Sequence, residues 1–158
     1  MKKVFLSLMI IILAVLGLTD AGYISYEKLI GVTPVCQPGF DCGGVLNSPW
    51  AKIGPFPIAY LGFFYYLCIL TLGILNYMQV DLRKLINQNW FTPENLLTAL
   101  TTFGFGFSLY LLMIMGVILK AWCLYCLLSA LTSTTLFITN LFLIQARKRE
   151  STQKEVTE

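Results

Sequence analysis

The sequence predicts an all-α membrane protein, a bundle of four transmembrane helices with an extracytoplasmic loop between helices 1 and 2. Three observations carry this expectation. Of 158 residues, 57% are hydrophobic and only 12% charged, too few charges to cover a soluble domain of this size. Four apolar stretches reach the length of about 20 residues that a helix needs to cross a bilayer. Lys and Arg gather in alternate flanks of those stretches, the asymmetry that sets membrane orientation.

The first apolar stretch runs over about 4–26, with Asp20 and Glu27 only near its far end. A signal peptide would also begin with Lys-Lys and an apolar run. No A-x-A-like cleavage site follows, however, and aromatic residues continue to Tyr23 and Tyr26, so the segment is read as helix 1. A loop rich in Pro and Gly covers about 29–56, and helix 2 follows at about 57–78. A short polar link at about 79–95 leads to helix 3 at about 96–119, which contains no charge. Its Gly104-Phe105-Gly106 lies inside an apolar run, where small residues permit close helix packing. A very tight turn near Lys120 precedes helix 4 at about 122–144. Residues 1–146 therefore form one membrane domain, and 147–158 are expected to be a disordered cytoplasmic tail.

With the N-terminus inside, Lys2, Lys3, Arg83, Lys84, Arg147, Lys148, Arg149 and Lys154 are cytoplasmic. The outer flanks then hold only Lys28, Lys52 and Lys120. Both termini are cytoplasmic in this topology, that of a multi-pass protein of the cell membrane in contact with lipid. The net charge of +3 is small and serves topology, so nucleic acid is not an expected partner. Histidine is absent, which removes the commonest general acid–base group and metal ligand.

Four of the five cysteines form two close pairs, Cys36/Cys42 and Cys123/Cys126, and this topology puts both outside. Cys123-Leu124-Tyr125-Cys126 sets two sulfurs one helical turn apart where helix 4 begins. Unpaired N–H groups and the helix dipole favour a thiolate there, and Lys120 just upstream adds to this. Thiolate is the attacking species in disulfide exchange. A Cys₄ zinc site is the bland alternative, but the five residues between Cys36 and Cys42 fit zinc-ligand spacing poorly. In Cys36-Gln-Pro-Gly-Phe-Asp-Cys42, Pro38 and Gly39 favour a turn. The pair is open to a permanent disulfide, or to Cys42 reaching another sulfur. Cys68, alone inside helix 2, is read as buried apolar packing.

At these residues the chain resembles the bacterial branch of the vitamin K epoxide reductase family. The matching pieces are Cys36-x5-Cys42, Ser48 in Asn47-Ser48-Pro49-Trp50, and Gly54-Pro55-Phe56-Pro57 entering a helix with Gly62 and Tyr66. Trp122-Cys123-Leu124-Tyr125-Cys126 opening the last helix completes the set, and the likeness covers about 5–145.

The resemblance implies a thiol oxidoreductase coupled to a membrane quinone of ubiquinone, menaquinone or phylloquinone type. Cys126 faces the quinone, Cys123 exchanges with Cys42, and Cys36 meets the outside thiol protein. Ser48 helps hold the loop, and Trp122, Phe63 and Phe64 are candidate walls of an apolar quinone pocket. Many bacterial relatives carry a fused thioredoxin-like domain after helix 4, where about a dozen polar residues follow here. The implied partner is thus a separate extracytoplasmic thioredoxin-fold protein, whose reoxidation supports disulfide formation. Eukaryotic relatives have a Tyr four residues after the last cysteine, where this chain has Ala130.

Quinone-epoxide reduction is the alternative within the family. The other bacterial four-helix thiol oxidase has its CxxC in the first outer loop, the reverse of the order here. A non-enzymatic metal-binding tetraspan protein is the alternative outside enzymes.

Overall fold

A computed structural model describes residues 2–78 and 92–157. Most of the expected polar link, with Arg83 and Lys84, lies outside the described residues, as do the side chains of Lys2, Lys3 and Lys154. Helix α1 spans Lys2–Leu29, α3 spans Ile58–Tyr77, and α4 spans Pro93–Met113 and continues as a π-helical segment, Ile114–Leu119. Helix α5 spans Leu124–Thr157. Between α1 and α3 lie the short helix α2 (Cys42–Asn47), a 3-10 turn (Pro49–Ala51), and a hairpin of β1 (Lys52–Ile53) and β2 (Phe56–Pro57).

Four segments are long and apolar enough to cross a membrane: Val4–Leu29, Ile58–Tyr77, Pro93–Leu119 and Leu124–Arg149. They run alternately up and down, and α1 packs on α3 and α5, while α4 packs on the same two. Ile10, Ala14, Tyr66, Ile69, Leu97, Leu136 and Leu143 meet at the centre. The outward faces remain apolar, with Ile12, Phe103, Leu131 and Phe142 exposed. A water-soluble protein rarely leaves that much contiguous apolar surface uncovered. Lipid removes the penalty, so this is a multi-pass membrane protein.

Several boundaries differ from the sequence expectation, each for a local reason. Helix α4 begins at Pro93, because the Thr92 hydroxyl accepts from the Asn95 N–H at 3.2 Å and Pro93 suits the first helical turn. Helix α5 starts at Leu124, two residues later than expected, since Trp122 and Cys123 belong to the turn. The tail expected to be disordered continues the backbone of α5 to Thr157. Gln, Lys and Glu are good helix formers, and no Pro or Gly interrupts Gln145–Glu158.

The end of the bundle away from the cysteines is tied by polar groups. Arg147 pairs with Glu94 and donates to the Asn76 side-chain oxygen, joining α5 to α4 and α3. The Asn140 amide donates to the Thr98 and Thr101 hydroxyls at 3.1 and 3.3 Å. In an apolar medium such bonds replace those that water would supply.

Candidate functional site

The site is built at the opposite end, where α1 stops and α5 starts. The Phe40 N–H donates to the Gln37 carbonyl at 3.1 Å, closing a turn with Pro38 and with Gly39 at φ 97°. That combination is a type II turn, which needs positive φ at its third residue. The turn brings Cys36 and Cys42 into a disulfide with Cα atoms 6.0 Å apart, ordinary disulfide spacing. Asp41 caps α2 by accepting from the Gly44 N–H at 2.8 Å. Cys42, the first residue of α2, is only 1% exposed, whereas Cys36 is half-buried.

Two contacts fasten this loop over the start of α5. The Asp41 N–H donates to the Trp122 carbonyl at 3.0 Å, joining the neighbours of Cys42 and Cys123. The Tyr125 hydroxyl donates to the Val35 carbonyl at 3.0 Å, beside Cys36. The Lys28 ammonium closes the other side, donating to the Leu46 carbonyl at 3.2 Å and the Asn47 side-chain oxygen at 2.5 Å. Cys42 and Cys123 consequently share one buried cluster with Val45 and Met115, and Cys36, Tyr125 and Cys126 pack against it. All four paired cysteines lie at one end of the bundle.

Cys123 is fully buried, packed with Cys42 and Val45 of α2. It and Cys126 are free thiols. A hydrogen bond from the Cys126 thiol lowers the Cys123 pKa below that of an ordinary thiol; burial opposes this, and the N–H groups of Cys126 and Tyr125 assist. Lys120 is exposed at φ 49°, in the left-handed corner that lets the Ala121 N–H reach back to the Met115 carbonyl at 3.2 Å.

Cys126 opens on the other side into a cavity of about 440 Å³. Its roof comes from the loop, with Val45, Ser48, Trp50 and Ile53, and its floor from Tyr65, Tyr66, Ser129, Ala130 and Ser133. The roof hairpin turns at Gly54, whose φ of 62° suits the first position of a two-residue hairpin turn. Phe64 and Phe103 also line the cavity, and they are 60% and 70% exposed on the outer faces of α3 and α4. The cavity therefore reaches the lipid between those helices.

Of the aromatic wall candidates, only Phe64 lines the cavity. Phe63 faces α1 near Gly22, one helical step away from Phe64. Trp122 folds back over Gly116 because the chain reverses at Lys120. The Ser48 hydroxyl donates to the Val45 carbonyl at 2.7 Å, closing the end of α2 in the cavity roof. Cys68, expected to be buried packing, is exposed on α3 at the cavity margin. Among the described residues, no three His, Cys, Asp or Glu are grouped as metal ligands.

Sequence reasoning passed over the intramembrane carboxyl of Asp20, which lines the same cavity. Its Oδ2 is buried and makes no hydrogen bond. The available signal was an acid inside an apolar run, a costly placement that usually marks function.

A disulfide facing outward, a buried thiol beneath it and a second thiol opening to lipid define a membrane protein built for dithiol–disulfide chemistry. The family model described as the vitamin K epoxide reductase family matches residues 8–141, and the chain belongs to that family of membrane oxidoreductases. It is also similar to the thiol-disulfide oxidoreductase LTO1 of Arabidopsis thaliana, with 32% identity over 123 residues. That match covers 75% of this chain and 31% of the plant protein, so the chain spans about a third of its relative's length.

Proposed function

We propose that this chain is a quinone-coupled thiol oxidase that reoxidises an extracytoplasmic thioredoxin-fold protein and so supports disulfide formation. The observation that carries the reading is the graded burial of the sulfurs. Cys36 is half-buried at the loop surface, Cys42 and Cys123 are packed together below it, and Cys126 opens into the cavity. Positive residues flanking the spans support an orientation with both termini cytoplasmic and the cysteines outside, in the cell membrane.

The partner's thiolate attacks Cys36, and Cys42 leaves as the thiolate that attacks Cys123 in a Cys123–Cys126 disulfide. Cys126 is released as a thiol facing the cavity. The partner's second thiolate then displaces Cys36 as the partner's own disulfide forms. Cys36 attacks Cys42, restoring the loop disulfide and releasing Cys123, so each exchange conserves one disulfide. A cavity of about 440 Å³ is within the range of small-molecule sites. Its apolar walls and its opening between Phe64 and Phe103 suit a ring carried on a lipid tail. When bound, a quinone supplies the sink for two electrons and two protons. Ser48 fixes the roof, and the loop excludes water.

The test uses the full chain in lipid nanodiscs containing ubiquinone or menaquinone, with a reduced thioredoxin-fold dithiol protein. One quinol should form per dithiol oxidised, and Cys126→Ala should abolish it. Thiol oxidation without quinol, or quinol formation surviving in Cys126→Ala, overturns the reading. Epoxide reduction is the second reading, favoured by the family match. Ala130, which lines the cavity without a hydroxyl, argues for quinone over epoxide as substrate. Assay with a quinone epoxide separates the two.

A further inference from the structure

We propose that Asp20 is the proton carrier of the cavity, holding at Oδ2 a proton released by Cys126 and passing it to the electron acceptor bound there. This rests on the quinone-coupled reading and deepens it. The argument begins from what the reaction must move. Oxidising the Cys123/Cys126 dithiol breaks two S–H bonds and forms one S–S bond, releasing two electrons and two protons. Reduction of a quinone to its dihydroxy form consumes both electrons and both protons, so nothing else is required. The protons must nevertheless travel through a site that the loop and the helices close to water.

This chain has no histidine to carry them. Among the described residues lining the cavity, Asp20 is the only Asp or Glu, and Cys126 lines it too. Its Oδ2 is buried without a hydrogen-bond partner. A carboxyl placed for structure would have its oxygens paired, since an unpaired buried polar atom is costly. The titratable groups within its electrostatic reach are Tyr66 on α3 and Cys123 and Cys126 at the start of α5. The Tyr66 hydroxyl is committed to Ser129, donating to its carbonyl at 2.9 Å and lying 3.0 Å from its hydroxyl. Lys28, further along α1 and also lining the cavity, is committed to Leu46 and Asn47. Asp20 is thus the uncommitted acid–base group of the cavity into which the reacting thiol opens. The carboxylate takes the Cys126 proton as the thiol becomes a thiolate, and returns to its starting form when that proton reaches the acceptor oxygen.

The test compares wild type, Asp20→Asn and Asp20→Glu as full chains in nanodiscs. The first readout needs no quinone. In the infrared change that follows mixing of the dithiol form with a water-soluble thiol oxidant, wild type should show a transient carboxyl C=O band that Asp20→Asn lacks. The second is single-turnover oxidation of the reduced CxxC by a short-chain benzoquinone across pH. Asp20→Asn should be slower by about a hundredfold at neutral pH, a usual worth for a positioned acid–base group. The deficit should narrow as pH rises and Cys126 loses its proton to solvent base, and Asp20→Glu should retain most of the rate. The amide removes a buried charge, so folding is not expected to suffer; should that variant not accumulate, Asp20→Ser carries the same measurements. A carboxyl band surviving in the neutral variant overturns the proposal. So does a neutral variant as fast as wild type, or one slowed by the same factor at every pH. If wild type itself fails to reduce the quinone, the quinone reading falls and the proton carrier with it; if wild type succeeds and the neutral variant matches it, only Asp20 loses its role.

Discussion

The Tyr125 hydroxyl donates to the Val35 carbonyl at 3.0 Å, so the residue just before Cys126 holds the residue just before Cys36. Neither sulfur pair is positioned by its own segment alone. The Tyr23 ring lies 5.5 Å from the Tyr125 ring and backs it from α1. The loop disulfide and the CxxC are thereby kept in one frame.

Tyr125→Phe keeps the ring contact and removes that bond. A net hydrogen bond is worth about 1 kcal/mol, so transfer between the loop pair and the CxxC should slow about fivefold. Quenched-flow alkylation followed by mass spectrometry measures it. An unchanged transfer rate would show that the loop is held by other contacts.

Cys126→Ala should trap the internal step. Cys123 then attacks Cys42 in the loop disulfide and Cys36 leaves as a thiol; Cys126 is no longer there to resolve the new bond, and alkylation of the freed Cys36 prevents its return. A linked Cys42–Cys123 peptide and a newly alkylated Cys36 are expected. Finding Cys123 linked to Cys36 instead would reverse the order of the relay.

The same trap reports on pH. The hydrogen bond from Cys126 lowers the Cys123 pKa, so Cys123 stays ionised below the usual thiol value of about 8.5. Cys126→Ser keeps a donor and Cys126→Ala does not. The pH midpoint of trapping should therefore lie higher for the alanine variant. By linkage, this thiol adds stability to the reduced fold above its unfolded pKa, and that contribution is lost as pH falls through the lowered value. Coincident midpoints for the two variants would remove the hydrogen bond as the cause.

Gly17 faces the buried Tyr66 ring, and a Cβ there would collide with it. Tyr66 cannot yield freely, being 1% exposed and bonded to Ser129. Gly17→Ala should cost about 1–3 kcal/mol, as overpacking does, and lower the melting temperature in detergent. Lys120→Gly should act oppositely: the left-handed corner costs a non-glycine residue about 1 kcal/mol, part of which glycine's greater freedom in the unfolded chain takes back. A small rise in melting temperature is expected, and a fall would mean that the Lys120 side chain contributes more than its strained backbone costs.

Four spans and two cysteine pairs are legible in the amino-acid sequence because their causes are local. Twenty apolar residues make a membrane helix wherever they stand, and Pro38-Gly39 makes a turn from its own dihedral preferences. The start of α4 is equally local, written in Thr92-Pro93, although the uncharged run behind it by itself points to a later start. Other features came only from tertiary structure. That Cys123 is buried, that Phe64 and not Phe63 lines the cavity, and that Asp20 stands in its wall all depend on which face each helix turns inward. Composition cannot specify that face when both sides are apolar, as they must be between a protein core and lipid. Packing around Tyr66 and the tethers at Trp122 and Val35 decided it.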